Sequence, residues 1–285
     1  MQQAHAPISA IFLDLDGTLY IEERWLPGAV DTVRWLMKRN LPIRFITNTT
    51  RRSRQQLQRR FQKQHLDVPS NWFFTPARAA SRWFHQQEAP RGILALVHPD
   101  VLEDLQDLPL ASSDSVDFVL VGDMDEAWNL HALNQGLRAL LNGAKLVALQ
   151  RNRRWLAHEG YRLDAGAFVA ALEYGSGVRC EMVFGKPSPI FFRMALLDVG
   201  AAPERVLMVG DDVESDVLAA QRCGMRGALV KTGKFRPETL AAAASPVDVV
   251  LEDIGQLSQW FRTQAGSLGH SPSAGHRDDR SPHGS

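Results

Sequence analysis

The chain has 285 residues, 45% of them hydrophobic, and its 32 Lys and Arg residues balance its 32 Asp and Glu residues. This length and composition predict one large or two medium globular domains, and the balanced charge argues against nucleic acid or an anionic membrane as a partner. No apolar run approaches the roughly 20 residues that span a bilayer, no secretory signal opens the sequence, and the two cysteines lack a metal-ligand spacing. We therefore expect a soluble, cytoplasmic protein.

The first predicted element is a buried strand over residues 8–13, an apolar run that ends in Asp14-Leu15-Asp16-Gly17-Thr18. Two carboxylates one residue apart repel each other unless a cation or a proton lies between them. This stretch indicates a metal site with a nucleophile at the end of a strand. The alternative is an ordinary polar loop with an Asp-Gly turn.

The next elements are a helix over 27–39 and a buried strand over 42–46, which is followed by Thr47-Asn48-Thr49. A helix over 53–64 comes after it, and the segment around this helix is basic, with Arg51, Arg52, Arg54, Arg59 and Arg60. A nucleic-acid-binding patch is one interpretation of these arginines. The balanced total charge favours the other, a solvated helix face.

The middle of the chain alternates between strand and helix patterns. Strands are predicted at 72–74, 93–98, 117–122 and 145–149, and helices at 76–87, 101–106 and 126–141. A polar, arginine-rich loop follows at 150–164, and then a helix at 166–174. This alternation is typical of a parallel sheet with helices on its faces.

The last part returns to short apolar strands, at 182–184, 206–209, 228–230 and 249–251. The first leads into Lys186, the second leads into Asp211 and Asp212, and a helix then carries Asp216 in its first turn. Residues 264–285 are rich in Gly, Ser, Pro, His and Arg without an apolar period, which predicts a disordered tail.

Four predicted strands thus end near polar side chains. In a parallel α/β sheet, ligands bind at the carboxyl ends of the strands, so these side chains can meet at one edge. The set contains carboxylates for a hard cation, a hydroxyl, an amide and one lysine. Phosphoryl transfer with Mg²⁺ requires such a set.

These four segments resemble, in order, the four motifs of the haloacid dehalogenase (HAD) superfamily phosphatases. Asp14 to Thr18 is similar to the first motif, Thr47 to the second, Lys186 to the third, and Gly210 to Asp216 to the fourth. The resemblance implies a Rossmann-like, doubly wound α/β core, an aspartyl-phosphate mechanism and Mg²⁺ as cofactor.

Far more residues separate Thr47 from Lys186 than one crossover needs, which predicts an inserted domain. Its position and α/β pattern resemble the class IIA, or NagD-like, cap. We predict a core over 1–77 and 180–263 and a cap over 78–179. Finer similarities at 133–135, 168–174, 185–187 and 229–234 resemble the branch of the phospholysine phosphohistidine inorganic pyrophosphate phosphatases.

The resemblance also implies roles. Asp14 is the nucleophile, and Asp16 is the acid and base. Mg²⁺ is held by Asp14, the Asp16 main-chain carbonyl and Asp211, with Asp212 and Asp216 as outer carboxylates that we do not rank. Thr47, Asn48 and Thr49 bind phosphate, and Lys186 neutralises it. In the loop at 150–164, Arg151 and Arg154 contact the substrate or form a solvated rim.

We therefore expect a phosphatase for a phosphorylated small molecule, pyrophosphate or a phosphoamidate. The alternatives are a dehalogenase of the same superfamily and a catalytically silent interaction protein. Against the dehalogenase stands Asp16, because displacing a halide requires no acid on the leaving atom. The resemblance also leaves open a homodimer through the cap.

Overall fold

The structure is a computed structural model that describes residues 6–88, 90–157 and 159–266. Its strands are β1 Ala10–Asp14, β2 Tyr20–Ile21, β3 Arg24–Trp25, β4 Ile43–Ile46, β5 Phe73–Phe74, β6 Ile93–Leu96, β7 Phe118–Val121, β8 Lys145–Ala148, β9 Arg154–Ala157, β10 Gly160–Leu163, β11 Cys180–Val183, β12 Val206–Gly210, β13 Arg226–Val230 and β14 Val249–Leu251. Its α-helices are α1 Ala29–Met37, α2 Arg54–Gln62, α3 Pro76–Phe84, α4 Leu130–Leu141, α5 Ala165–Ser176, α6 Pro189–Val199, α7 Ala219–Arg222, α8 Pro237–Ala241 and α9 Leu257–Gly266.

The larger sheet has six strands in the order β14-β13-β12-β1-β4-β5, and all of its pairs are parallel. The chain builds outward from β1 to β4 and β5 on one side, and later from β12 to β13 and β14 on the other. Strand order therefore reverses at β1, and the carboxyl end of β1 is where such sheets bind ligands. The predicted doubly wound α/β fold is confirmed.

Both faces of this sheet are covered, which explains why its strands appear as continuous apolar runs in the sequence. In β1, Ile11 and Leu13 pack on the side of α1 and α2, whereas Ala10 and Phe12 pack on the side of α3 and α6. Neighbouring residues of one strand thus serve opposite layers. This packing holds the end of β1 in a rigid position.

The second sheet has four parallel strands in the order β11-β8-β7-β6, with α4 and α5 against one face. Strand β11 pairs with β8, so the predicted return to the core at residue 180 is wrong: Cys180–Val183 still belongs to the second sheet. The predicted boundary at 77/78 falls inside α3. A four-residue apolar run carries no signal of which sheet it joins, and a helix shared between two layers conceals a boundary.

The arginine-rich segment at 150–164 is not the loop that we predicted. Strands β9 and β10 form an antiparallel hairpin, in which Trp155 is paired with Arg162. Each of the two strands has only four residues, which is too few for the alternating pattern that reveals a half-buried strand. The predicted helix at 126–141 also begins later, because the Asn129 side chain accepts a hydrogen bond from the Ala132 N–H and caps α4.

The predicted tail begins too early, because α9 continues through residues 264–266. The rest of that prediction, residues 267–285, lies outside the described residues. Within the described ranges, no helix has both the length and the apolar character needed to cross a membrane.

Candidate active site

Asp14 is the last residue of β1, and its side chain is held at both oxygens. The Lys186 ammonium donates to Oδ1 at 2.5 Å, and the Thr18 hydroxyl donates to Oδ2 at 3.2 Å. Only 5% of the residue is exposed. A buried carboxylate with a cation and a hydroxyl on its two oxygens has a fixed orientation, which an attacking group requires.

Asp16 lies on the turn after β1 and faces the open cleft. The turn is closed by the Gly17 N–H, which donates to the Tyr20 carbonyl at 2.7 Å, and Gly17 has a φ of 92°. Although the Asp16 side chain is exposed, the cleft walls around it remove much of its solvation and raise its pKa. Lys186 and Arg60 act in the opposite direction. A raised pKa favours a carboxyl that carries a proton.

Thr47 and Asn48 follow β4 and serve different purposes. Thr47 is 1% exposed, and its hydroxyl accepts a hydrogen bond from the Thr49 N–H at 3.1 Å. The Asn48 side chain makes a pair of hydrogen bonds with the Lys186 main chain, at 2.7 and 2.8 Å. The Asn48 amide therefore ties two loops together, and its predicted contact with phosphate depends on its main chain.

Lys186 does not follow a strand of the larger sheet, as the sequence suggested. It lies between β11 of the second sheet and α6, and the Asn48 side chain fixes its backbone beside β4. Its ammonium donates to Asp14 and to Asp216, at 2.5 and 2.6 Å. Burial lowers the pKa of Lys186, but the two carboxylates overcome this effect and raise it above its usual value. The side chain is a fixed positive charge.

Asp14, Asp211 and Asp216 form a carboxylate cluster at the switch point. One oxygen from each lies within 4.8 Å of the others. Burial and the neighbouring Asp14 and Asp216 carboxylates raise the pKa of Asp211 to about 8. Burial likewise raises the pKa of Asp216 to about 6, against the effect of Lys186.

This carboxylate cluster fits a hard divalent cation, which prefers oxygen ligands and would offset the mutual repulsion. Two glycines make room for Asp211: a Cβ at Gly17 or at Gly233 would lie 2.0 Å from its Oδ2. The Asp16 carboxylate is not part of the cluster, so the predicted ligand there, its main-chain carbonyl, stays a prediction.

The structure separates the two acids that the sequence left unranked. Asp216 is 1% exposed and belongs to the carboxylate cluster. Asp212 instead caps the wide π-helical turn Val213–Leu218, where one of its oxygens accepts from the N–H groups of Glu214 and Ser215. Asp216 is therefore the acid of this pair that lies close to Asp14.

A cleft of about 680 Å³ opens in front of Asp14 and Asp16. Its far wall comes from the hairpin β9–β10 and the residues before it: Asn152, Arg153, Arg154, Trp155 and Tyr161. The Arg154 guanidinium lies over the Tyr161 ring, 4.9 Å from its centre. This side of the cleft combines positive charge with aromatic surface, and we call it the cap wall.

Arg151 does not line this cleft, so its predicted contact with substrate stays a prediction. Its guanidinium pairs with the buried Glu173 at 2.7 Å, and the residue lines a neighbouring cavity that shares Asn152 and Lys186 with the cleft. Arg154 does face the cleft, as predicted. The two arginines are three positions apart, but the chain turns into β9 between them, which the sequence did not reveal.

Sequence reasoning missed one contributor to the site, the loop after β13. The Lys234 N–H donates to Asp211 at 2.6 Å, and the Thr232 hydroxyl donates to the Gly17 carbonyl at 2.5 Å. In the sequence, residues 229–234 indicated only a similarity to one branch of the superfamily, without a role at the site. A glycine between two polar residues directly after a core strand was the signal that could have revealed it.

Comparison with known proteins gives one consistent result. The haloacid dehalogenase-like hydrolase family matches residues 11–110, and a second, HAD-hydrolase-like family matches residues 183–257. Haloacid dehalogenase-like hydrolase domain-containing protein 2 from Bos taurus is 39% identical over 80% of this chain and 86% of its own length. Phospholysine phosphohistidine inorganic pyrophosphate phosphatase from Danio rerio is 33% identical, over 87% of this chain and 92% of its own.

Among solved structures, NagD from E. coli K-12 superposes with a TM-score of 0.81 at 26% identity, covering 88% of this chain and 98% of NagD. The fold and the carboxylate cluster at the switch point define a HAD-like hydrolase, and the chain belongs to this family. Within the family, the inserted sheet and the likeness to NagD place it in class IIA, which confirms the resemblance drawn from the motifs.

Proposed function

We propose that this chain is a Mg²⁺-dependent phosphatase that hydrolyses a phosphorylated small molecule through an aspartyl-phosphate on Asp14. The phosphatase class has the support of its family and of relatives that carry that name. The observation that carries the mechanism is the position of Asp14, oriented by Lys186 and Thr18 at the edge of an open cleft.

The reaction proceeds in two displacements. A carboxylate oxygen of Asp14 attacks phosphorus and forms an aspartyl-phosphate, while the bond from phosphorus to the leaving oxygen breaks. Asp16 donates its proton to that leaving oxygen. In the second step Asp16 accepts a proton from water, the water oxygen attacks the same phosphorus, and inorganic phosphate leaves with Asp14 restored.

The transferred phosphoryl group is held by residues that are already in place. Lys186 offsets its negative charge, and the Thr47 hydroxyl and the Asn48 main chain donate to its oxygens. The Thr49 N–H, which donates to the Thr47 hydroxyl, orients that group. Asp14, the Asp16 main-chain carbonyl and Asp211 hold Mg²⁺, with Asp216 beside them. When bound, Mg²⁺ supplies positive charge that keeps the carboxylates ionised and offsets the charge of the phosphoryl group.

The cap wall receives the leaving group. Arg151 and Arg162 are paired with carboxylates, whereas Arg153 and Arg154 have no carboxylate within ion-pair distance among the described residues. An arginine without an acidic partner, at the rim of a cleft, favours an anionic group on the substrate. Pyrophosphate, a substrate in the name of the Danio rerio relative, fits this description, because its leaving group is itself a phosphate. The phosphoamidates in the same name release an amine or an imidazole, so their support is that name alone.

We also propose the cytoplasm as the location, because Cys180 and Cys223 are both free thiols, as expected in a reducing compartment.

A homodimer through the cap remains part of the proposal. Its support is the exposed apolar surface of α4 and α5, where Leu130, Leu141 and Tyr174 are on the outside.

The test is hydrolysis of p-nitrophenyl phosphate with Mg²⁺ by the wild type, by Asp14→Asn and by Asp31→Asn. Asp14→Asn should lose activity by at least about a thousandfold, because the amide is not a nucleophile. Asp31, an exposed residue of α1 that pairs with Arg34, is the matched control and should keep full activity. Substrate labelled with ³²P should leave acid-stable label on the wild type only at Asp14.

Retention of most activity by Asp14→Asn would remove the nucleophile. A wild type without metal-dependent hydrolysis would instead favour the catalytically silent alternative. Release of halide from a haloacid, without hydrolysis of phosphate esters, would favour the dehalogenase.

A further inference from the structure

The basic segment around α2 is only in part the solvated face that the balanced charge favoured. Arg52 and Arg59 are exposed, whereas Arg51, Arg54 and Arg60 make contacts within the protein. Arg54 donates to the buried Asp104 from both its main chain and its guanidinium, at 3.0 and 2.9 Å. Arg60 is buried with its guanidinium 3.5 Å from the centre of the Tyr20 ring. Arg51 and Arg54 cross from the larger sheet to the second one, so the segment is a connection between the two.

Arg51 is the member of this group that lies next to the chemistry. It follows Thr47-Asn48-Thr49-Thr50 directly, and its side chain reaches the loop after β7. Its Nε is 2.5 Å from Asp123 Oδ2, and its second terminal nitrogen is 3.0 Å from Asp125 Oδ1. Asp123 is 4% exposed, and its other oxygen accepts from the Asp125 N–H. A planar guanidinium bound at two points has a fixed orientation.

The guanidinium of Arg51 also lies over the indole of Trp155, 4.7 Å from the ring centre. Arg162, the partner of Trp155 in the hairpin, approaches the same ring at 5.8 Å and shares Asp125 with Arg51. The Trp155 N–H is buried and has no acceptor among the described residues. The position of the ring therefore depends on packing and on these cations rather than on a hydrogen bond.

Trp155 lines the cleft, whereas Arg51 lies behind it. We propose that Arg51 is a positioning residue that holds Trp155 of the cap wall in register with the phosphate-binding residues Thr47 and Asn48. The leaving-group side of the cleft is thus fixed relative to the phosphate side by a residue that touches neither group. This inference rests on the proposed function, because it concerns how the two sides of the same cleft are positioned relative to each other.

The position of Arg51 predicts a specific kinetic signature. A residue that fixes the leaving-group wall, without contact to the phosphoryl group, should affect KM more than kcat. Its effect should also depend on Trp155. If Arg51 merely stabilised the fold, its replacement would not raise KM selectively over kcat, and its effect would not depend on Trp155.

The experiment is a double-mutant cycle on the full chain with p-nitrophenyl phosphate and Mg²⁺. Arg51→Met should raise KM about tenfold with kcat changed by less than about twofold, and in a Trp155→Leu background the same change should raise KM by less than about twofold. Arg138→Met is the matched control, since Arg138 pairs with Asp114 on the cap away from the cleft, and it should behave as wild type.

Arg51→Met leaves the buried Asp123 without its cation, so a second variant separates folding from function. Arg51→Lys keeps a charge beside Asp123 but cannot contact Asp123 and Asp125 with one planar group over Trp155. It should therefore restore the Tm while KM stays raised. Equal effects of Arg51→Met with and without Trp155, or a loss in kcat at constant KM, would overturn the inference.

A fluorescence comparison tests the contact between Arg51 and Trp155 independently of catalysis. The emission of Trp155 is taken as the difference between each protein and its Trp155→Leu version. This difference should change in Arg51→Met and stay unchanged in Arg138→Met. If the wild type does not hydrolyse the ester, the proposed function fails, and the difference spectrum still decides whether Arg51 holds Trp155. An unchanged spectrum in Arg51→Met would overturn the positioning role.

Discussion

The two sides of the cleft are built in opposite ways. On the core side, Asp14, Lys186 and the pair Asp211 and Asp216 come from distant parts of the chain and are buried. Lys186 bonds to Asp14 and Asp216, and Asp211 lies beside these two carboxylates. On the cap side, the residues come from one hairpin and its approach, and they are open: Tyr161 is 71% exposed. On the core side, one lysine faces three carboxylates within the buried site, whereas Arg153 and Arg154 face solvent.

This difference separates reaction from recognition. Buried, mutually bonded groups keep one geometry for every substrate, which suits a common phosphoryl transfer step. Exposed arginines and aromatic rings on a short hairpin can change without disturbing the core, which suits selection of the leaving group. Changes on the core side should therefore affect all substrates alike, and changes on the cap side should discriminate between them.

After Asp14→Asn, the largest effect is expected from Asp16→Asn, also on the core side. It should lower kcat by about 10²–10⁴-fold, because the amide can neither donate nor accept the required proton. With p-nitrophenyl phosphate, whose leaving group needs no proton, phosphoenzyme should accumulate and can be counted after acid quench with ³²P substrate. With an alkyl phosphate, the first step should stall as well. Turnover at the wild-type rate on both esters would remove Asp16 from the proton transfer.

The second prediction, of intermediate size, concerns the stability of the protein when metal is removed. Without a cation, the pKa of Asp211 is raised to about 8 and that of Asp216 to about 6, from a usual value of 3.8. Between pH 3.8 and about pH 8, these carboxyl groups bind more protons in the native state than in the unfolded state. The stability of the metal-free protein should therefore be greatest at low pH within this window and fall as pH rises through about 8.

Thermal unfolding from about pH 5 to pH 8, with EDTA and with Mg²⁺, measures this prediction. Mg²⁺ should raise Tm most at the upper end of the range, where the uncompensated carboxylates are ionised. The pKa values of Asp104 and Asp164 are also raised by burial, so the difference between the two conditions is the relevant quantity. A Mg²⁺ effect that is constant over this range would contradict the assignment of the carboxylate cluster to the cation.

The smallest effect is expected on the cap side, from Arg154→Met. It should raise KM for pyrophosphate about fivefold and leave kcat/KM for p-nitrophenyl phosphate almost unchanged, because an exposed arginine contributes modestly and only to an anionic leaving group. Arg138→Met is again the matched control, since Arg138 pairs with Asp114 on the cap away from the cleft. Equal changes for the two substrates would show that the cap wall does not discriminate.

The sequence by itself determined the class of the protein and most of the core site. Asp14, Asp16, Thr47 and Asp211 could be predicted because each stands at the end of an apolar strand of a parallel sheet, where local chemistry and topology coincide. Lys186 was predicted as well, although for a partly wrong reason. The strand before Lys186 belongs to the second sheet, and the Asn48 side chain holds Lys186 at the edge of the larger sheet.

Only the tertiary structure decided the remaining assignments, because they depend on contacts between segments that have no periodic signal. It ranked Asp216 over Asp212, because one carboxylate turns toward Asp14 and the other caps a helix. It moved Arg151 out of the cleft and kept Arg154 in it, because a hairpin formed where the composition suggested a loop. It also joined Arg51 to Trp155 across two sheets, a contact that exists only after both have folded.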